Sequence, residues 1–221
     1  MGRAFFYSDQ IIDENRRIDA RLFEGYSAAK IKIGYIPSCG DKNRFFFLKQ
    51  CHYYEQYGVR NFLFFDLGEE YDMTLTSALL DCDIVHISGG DPIYCLSNIR
   101  RRNFADILRR YVSDGGTLVG VSGGAVQLGR GVGVFKLFTS SLDETLNSKD
   151  TLSALQITDF EFLPHYNRWE AKYKDQVKEY SQKIESIILA CEDGNGIIVE
   201  NGDMNFIGNV INIEKGNETT V

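Results

Sequence analysis

Residues 118–128 read LVGVSGGAVQL. An apolar run stops at Ser122, two glycines follow, and the next residues suit a helix. Glycine is a poor helix former, and a hydroxyl is poor company for a buried strand end, so the serine needs a reason. Gly120-Val121-Ser122-Gly123-Gly124 fits G-x-S-x-G. In that pattern a nucleophile sits on a strained turn between strand and helix, and small neighbours make room for it. The start of the following helix offers free N–H groups and the positive end of a dipole, both suited to a developing oxyanion. Tight strand–helix packing or a bound phosphate would use the same glycines, so the surrounding pattern has to decide.

Working outward, strand-like apolar runs recur at RAFFYS (3–8), IKIGYIP (31–37), NFLFFDL (61–67), DIVHISGG (83–90) and TLVGVSGG (117–124). Longer amphipathic stretches lie between them, among them residues 43–58 and 93–112. Near-continuous apolar strands alternating with helices predict a mostly parallel sheet covered on both faces. Further on, 168–185 reads as a charged helix, SIILAC (186–191) as a strand, and 196–210 as a hairpin about Asn201-Gly202. There is no linker, low-complexity tract or repeat. The reading is one α/β domain over residues 1–221 with an antiparallel C-terminal edge, whose hydrophobic edge strands would permit a homodimer.

The 221 residues are 43% hydrophobic and 25% charged, with a net charge of −7. That balance disfavours a nucleic-acid backbone or an anionic membrane as partner. Five scattered cysteines with no C-x-x-C pair suit a reduced, cytoplasmic protein rather than a disulfide framework or zinc site. No run is long and apolar enough to cross a bilayer. No metal or cofactor is expected: H-E-x-x-H is absent, and GRGVGVF (129–135) lacks the preceding strand and lysine of a P-loop.

In a parallel α/β sheet, catalysis belongs at the carboxyl ends of the strands, and two runs here end in glycine pairs, ISGGDP and VGVSGG. The amides of Gly90, Asp91 and Gly123 are therefore candidate oxyanion donors. A nucleophilic serine needs a base. Of the three histidines, His52 lies in an aromatic-rich helix and His86 inside a strand, which leaves His165 in FLPHYN, after a strand-like run and a proline. The third member should be a carboxylate that orients the imidazole. Residues 115–142 hold no Asp or Glu, whereas LACEDGNG brings Glu192 and Asp193 to another strand end. Either could serve, or both could belong to a solvated turn. The order Ser, His, acid differs from the Ser, acid, His order of α/β-hydrolases.

ISGGDPIYCL, LVGVSGGAVQLG, FLPHYN and EDGNGIIV, in this order, resemble the peptidase E (aspartyl dipeptidase) and cyanophycinase family of serine peptidases. The resemblance implies the fold of the class I glutamine amidotransferase-like proteins, a flavodoxin-like three-layer α/β sandwich. It carries the nucleophile onto Ser122, the histidine onto His165, the oxyanion amides onto Gly90, Asp91 and Gly123, and the acid onto Asp193 with Glu192 adjacent. It also implies a small peptide substrate with an N-terminal acidic residue. Such a substrate needs a cation, for which Arg168 is the candidate, with a surface helix-start residue as the plainer reading. Three departures stand out. Gly123 replaces the family's alanine and adds backbone freedom, no acid follows the serine closely, and Asp91-Pro92 replaces Asn-Thr. A rival enzyme reading, a glutamine amidotransferase-like hydrolase, would need cysteine at the elbow. A rival outside enzymes is a non-catalytic relative that binds a ligand or partner in the same crevice.

Overall fold

The computed structural model describes residues 2–221, the Ile12 side chain excepted. Its first half alternates strand and helix: β1 (Arg3–Tyr7), α1 (Ile12–Phe23), β2 (Lys32–Ile36), α2 (Phe45–Glu55), β3 (Asn61–Phe64), α3 (Thr76–Leu80), β4 (Ile84–Ile87), α4 (Pro92–Arg101), α5 (Ala105–Ser113) and β5 (Thr117–Val121). The second half holds α6 (Gly123–Val126), α7 (Gly133–Lys136), α8 (Leu142–Asn147), β6 (Glu161–Leu163), α9 (Ala171–Ser181), β7 (Ile188–Cys191), β8 (Gly196–Glu200), β9 (Asp203–Ile207), β10 (Val210–Glu214) and β11 (Asn217–Thr220). No helix among the described residues is long and apolar enough to cross a membrane.

Seven strands form the central sheet in the order β3-β2-β4-β5-β1-β8-β9. The first five are parallel; β8 and β9 close one edge antiparallel, joined through the Asn201-Gly202 turn that the sequence predicts. The strand period of two sorts the side chains. Phe5, Tyr7, Val119 and Val121 face α1 and α2, where they meet Ile18, Leu22, Tyr53 and Tyr54. Ala4, Phe6, Val85, Ile87 and Leu118 face the other way, onto Cys95 and Ile99 of α4 and Leu108 and Val112 of α5. Each phenylalanine buried this fully contributes about 2–3 kcal/mol relative to exposure. This is the expected α/β sandwich.

Two features go beyond the sequence reading. Residues 93–112 form two helices rather than one, because Asn103 takes φ 53° and turns the chain between α4 and α5; asparagine tolerates that left-handed conformation better than most residues. There is also a second, four-stranded sheet, β11-β10-β7-β6. Phe162, Leu189, Cys191 and Val210 on one of its faces extend the central core. Leu163, Ile188, Ala190 and Ile213 on the other pack against Val177 and Tyr180 of α9 and Val134 of α7. The outer strand of this sheet, β11, is exposed along its length and polar, so it is not the hydrophobic edge the sequence suggests. The five cysteines are all free, four of them buried and Cys39 exposed.

One buried polar cluster ties β1 to the helices above it. Asp19 of α1 accepts hydrogen bonds from the hydroxyls of Tyr7 (2.8 Å), Tyr53 (2.5 Å) and Tyr57 (2.6 Å). An asparagine there presents one acceptor and one donor group to three phenols. Asp19→Asn is expected to lower the unfolding free energy by about 2 kcal/mol, read as a shift in the urea midpoint at unchanged slope; an unmoved midpoint would show the cluster to be energetically idle.

Candidate active site

Ser122 follows β5 directly and adopts φ 51°, ψ −117°, a conformation that costs energy for any residue but glycine. Its amide donates to the Tyr7 carbonyl at 2.9 Å, which holds the elbow beside the end of β1. The surrounding glycines are there for space. A Cβ at Gly120 would lie 2.5 Å from Ala125 Cα. One at Gly123 would strike the Gly90 carbonyl oxygen, and one at Gly124 the carbonyls of Ile87 and Ser88. Gly123 therefore does more than add backbone freedom: the loop after β4 lies against it. Gly123→Ala is expected to push Gly90 aside and slow any reaction of Ser122 about 100-fold, the usual cost of misplacing a reacting group by about 1 Å. A labelling rate within threefold of wild type would mean that the loop yields without consequence.

His165 stands two residues past β6, after Pro164, at φ 58°, ψ 35°. Its amide donates to Ser8 Oγ (2.7 Å), and the Ser8 hydroxyl donates to the Cys191 carbonyl (2.9 Å), which ties the chain segments after β1 and β6 to the last residue of β7. The ring then spans the site: Nε2 lies 2.7 Å from Ser122 Oγ and Nδ1 lies 2.6 Å from Asp193 Oδ1. With the proton on Nδ1 donated to the carboxylate, Nε2 is left to accept from the serine.

Asp193 is held from several sides. Its amide donates to Asn167 Oδ1 (2.9 Å), and its Oδ2 accepts from Asn167 Nδ2 (3.1 Å) and Arg168 Nε (2.5 Å). Burial pushes the Asp193 carboxyl up, but the hydrogen bonds from His165, Asn167 and Arg168 outweigh it and hold the carboxyl below its ordinary value. A depressed carboxyl stabilises the fold at pH values above the unfolded-state value, about 3.9, and that stabilisation is lost as pH falls through the lower folded-state value.

The structure sorts the remaining sequence candidates. Glu192 makes no side-chain hydrogen bond among the described residues; its carbonyl accepts from Asn195 in the turn. The Asp91 amide points at Cys39 Sγ (3.2 Å), while the Asp91 carboxylate caps α4 through the amides of Ile93 and Tyr94. Asp91 is thus a loop anchor, and its amide is not free for an oxyanion. The amides of Gly90, at φ 145°, and of Gly123 have no intramolecular acceptor among the described residues. Arg168 is not a free cation either, since its Nη2 donates to Asp9 Oδ2 at 2.6 Å while its Nε holds Asp193. His52 is exposed. His86 is buried against Tyr35 and bonded to the Tyr54 hydroxyl, as a core histidine would be. Burial lowers its pKa to about 3.

Sequence reasoning missed Ser8, Asp9, Cys39 and Asn167. Their signal was position: Ser8, Asp9 and Cys39 follow β1 and β2, at the same carboxyl rim of the sheet as Ser122. One ligand atom each from Asp9, His165 and Asp193 lies within 4.8 Å of the others, a spacing a metal ion could bridge. The Arg168 guanidinium also bonds both of these carboxylates.

The model of peptidase family S51 matches residues 8–207 of the chain. An uncharacterized peptidase of Pasteurella multocida is 26% identical over 104 residues, 47% of this chain and 49% of the relative. An uncharacterized peptidase of Listeria monocytogenes is 26% identical over 122 residues, 53% of this chain and 58% of the relative. The matched stretches thus span about half the length of these curated relatives. Among solved structures, a candidate peptidase E protein from Listeria monocytogenes superposes with a TM-score of 0.73 at 19% identity, covering 93% of this chain and 98% of that one. A peptidase from an acI-B1 actinobacterium gives 0.71 at 18% identity, covering 100% and 94%. At these identities the likeness is one of fold.

Proposed function

Since the chain belongs to peptidase family S51, we propose that it is a serine peptidase that cleaves short peptides through an acyl-enzyme. The observation that carries this reading is the unbroken line from Ser122 Oγ to His165 Nε2 (2.7 Å) and from His165 Nδ1 to Asp193 Oδ1 (2.6 Å), built on a strained elbow. His165 takes the Ser122 proton as Oγ attacks the scissile carbonyl. The amides of Gly90 and Gly123, which have no intramolecular acceptor among the described residues, are the donors for the oxygen that becomes negative in this reading. Collapse of the tetrahedral intermediate expels the amine, which receives its proton from His165. Water, activated by the same imidazole, then hydrolyses the ester and returns Ser122 to its starting state. Asp193 keeps the ring in the tautomer this sequence of transfers needs.

The preference for an N-terminal acidic residue rests on the family resemblance. Its expected partner, Arg168, is engaged by Asp193 and Asp9, so an acidic side chain would have to find its cation elsewhere. The test is a panel of dipeptides and tripeptides with acidic, neutral and basic first residues, assayed by amine release, together with labelling by a fluorophosphonate. Release from any member, with label on Ser122, supports the reading. No release and no label would leave a ligand-binding relative as the better description.

A further inference from the structure

We propose that Arg168 and Asp9 form a clamp that positions Asp193, and through it His165, for proton transfer from Ser122. The proposal rests on the serine-peptidase reading and assigns Arg168 a role other than substrate recognition.

The clamp joins, at the level of side chains, the three chain segments whose backbones Ser8 already ties together. Asp9 lies in the loop after β1, Arg168 in the single 3₁₀ turn Tyr166–Arg168 after β6, and Asp193 in the turn after β7. The guanidinium offers Nε to Asp193 (2.5 Å) and Nη2 to Asp9 (2.6 Å), two diverging donors on one rigid plane. A lysine, with one flexible ammonium, could supply the charge but not that span. Asn167 closes the remaining side of the carboxylate, giving and taking a hydrogen bond with Asp193. Asp193 Oδ1 is thereby left to His165 alone. Arg168 is 54% exposed, so solvent screens its two ion pairs and their contribution to stability is small. Geometry and local charge are what the clamp adds.

The charge arrangement makes the role measurable. His165 is flanked by Asp193, and Asp9 stands behind the guanidinium; Glu192 lies beside Asp193, and Glu14 of α1 packs against Gly194, one residue further on. Arg168 is the cation paired with both carboxylates. Without it, two carboxylates face the site with no cation between them, so the acid limb of the activity profile should move up. Without Asp9, the same guanidinium is less neutralised and the limb should move down. A side chain that merely filled space would not give shifts of opposite sign.

The experiment measures the rate of fluorophosphonate labelling against pH in wild type, Arg168→Met, Arg168→Lys and Asp9→Asn. It is paired with the low-field proton resonance of the His165 Nδ1–H in each protein. Arg168→Met is expected to label about 10- to 100-fold more slowly, the range for partners that orient a reacting ligand. Its acid limb should rise, and it should lose the low-field proton. Arg168→Lys should restore the limb but not the rate, and Asp9→Asn should lower the limb. Wild-type limb and low-field proton retained in Arg168→Met would overturn the clamp. Should wild type fail to label, the peptidase reading falls, while the low-field proton in wild type against Arg168→Met still decides whether the clamp orients the ring.

Discussion

Ser122→Ala is expected to abolish fluorophosphonate labelling and to cut peptide hydrolysis by at least about 10⁴-fold, with no change in fold. Removal of a triad member typically leaves only what the oxyanion site and substrate binding supply. The substitution removes one oxygen, whose side-chain hydrogen bond is to the His165 ring. The strain at φ 51° is carried by the backbone, which the Tyr7 carbonyl and the start of α6 hold in place. Unfolding by urea should therefore match wild type within about 0.5 kcal/mol. Labelling at undiminished rate in this variant would mean that the reactive hydroxyl is another one, and the proposed mechanism would be wrong.

Asp193→Asn should cost nearly as much, about 10³- to 10⁴-fold in kcat/KM, and raising the pH should not recover it. An asparagine can turn its N–H₂ toward His165 Nδ1, which then accepts; the ring proton moves to Nε2, and the acceptor that Ser122 needs is gone. The loss is one of tautomer, and a pH change cannot repair it. Glu192→Gln is the paired control, expected to stay within about twofold of wild type because that half-buried side chain makes no hydrogen bond or ion pair among the described residues. The reverse outcome, with Glu192 essential and Asp193 dispensable, would require the turn after β7 to rearrange during catalysis.

That paired experiment marks where sequence reasoning ran out. Glu192 and Asp193 are adjacent, chemically alike and equally suited to turn chemistry, so composition and spacing gave no ground for choosing. The choice is made by the direction of the chain leaving β7, with the Asp193 amide bound to Asn167 Oδ1 and its carboxylate turned to the ring. Arg168 shows the same limit. A cation three residues past the base could read a substrate or support a neighbour. Only the approach of Asp9, 159 positions away in the chain, shows it to be engaged. The Asp91 amide looked free in its motif, yet Cys39, 52 positions earlier, receives it. The second sheet was missed for a related reason: β6 is three residues long and β11 is polar and exposed, so neither carries an apolar period. The helix α1 was passed over because charged and polar residues surround Ile18 and Leu22, the buried apolar side chains described in it.

What the chain's order of residues determined by itself was local. It set the apolar strands and their alternation, the glycines where backbones nearly touch, the turn at Asn201-Gly202, and the serine and histidine placed just beyond strand ends. These follow from period, backbone freedom and turn chemistry, which act within a few residues. Tertiary structure decided which carboxylate meets the imidazole, which amides stay free and whether Arg168 faces a substrate or two acids. A hydrogen bond is specified to tenths of an ångström and tens of degrees, and no rule of sequence spacing carries that precision between segments joined only through the packed sheet.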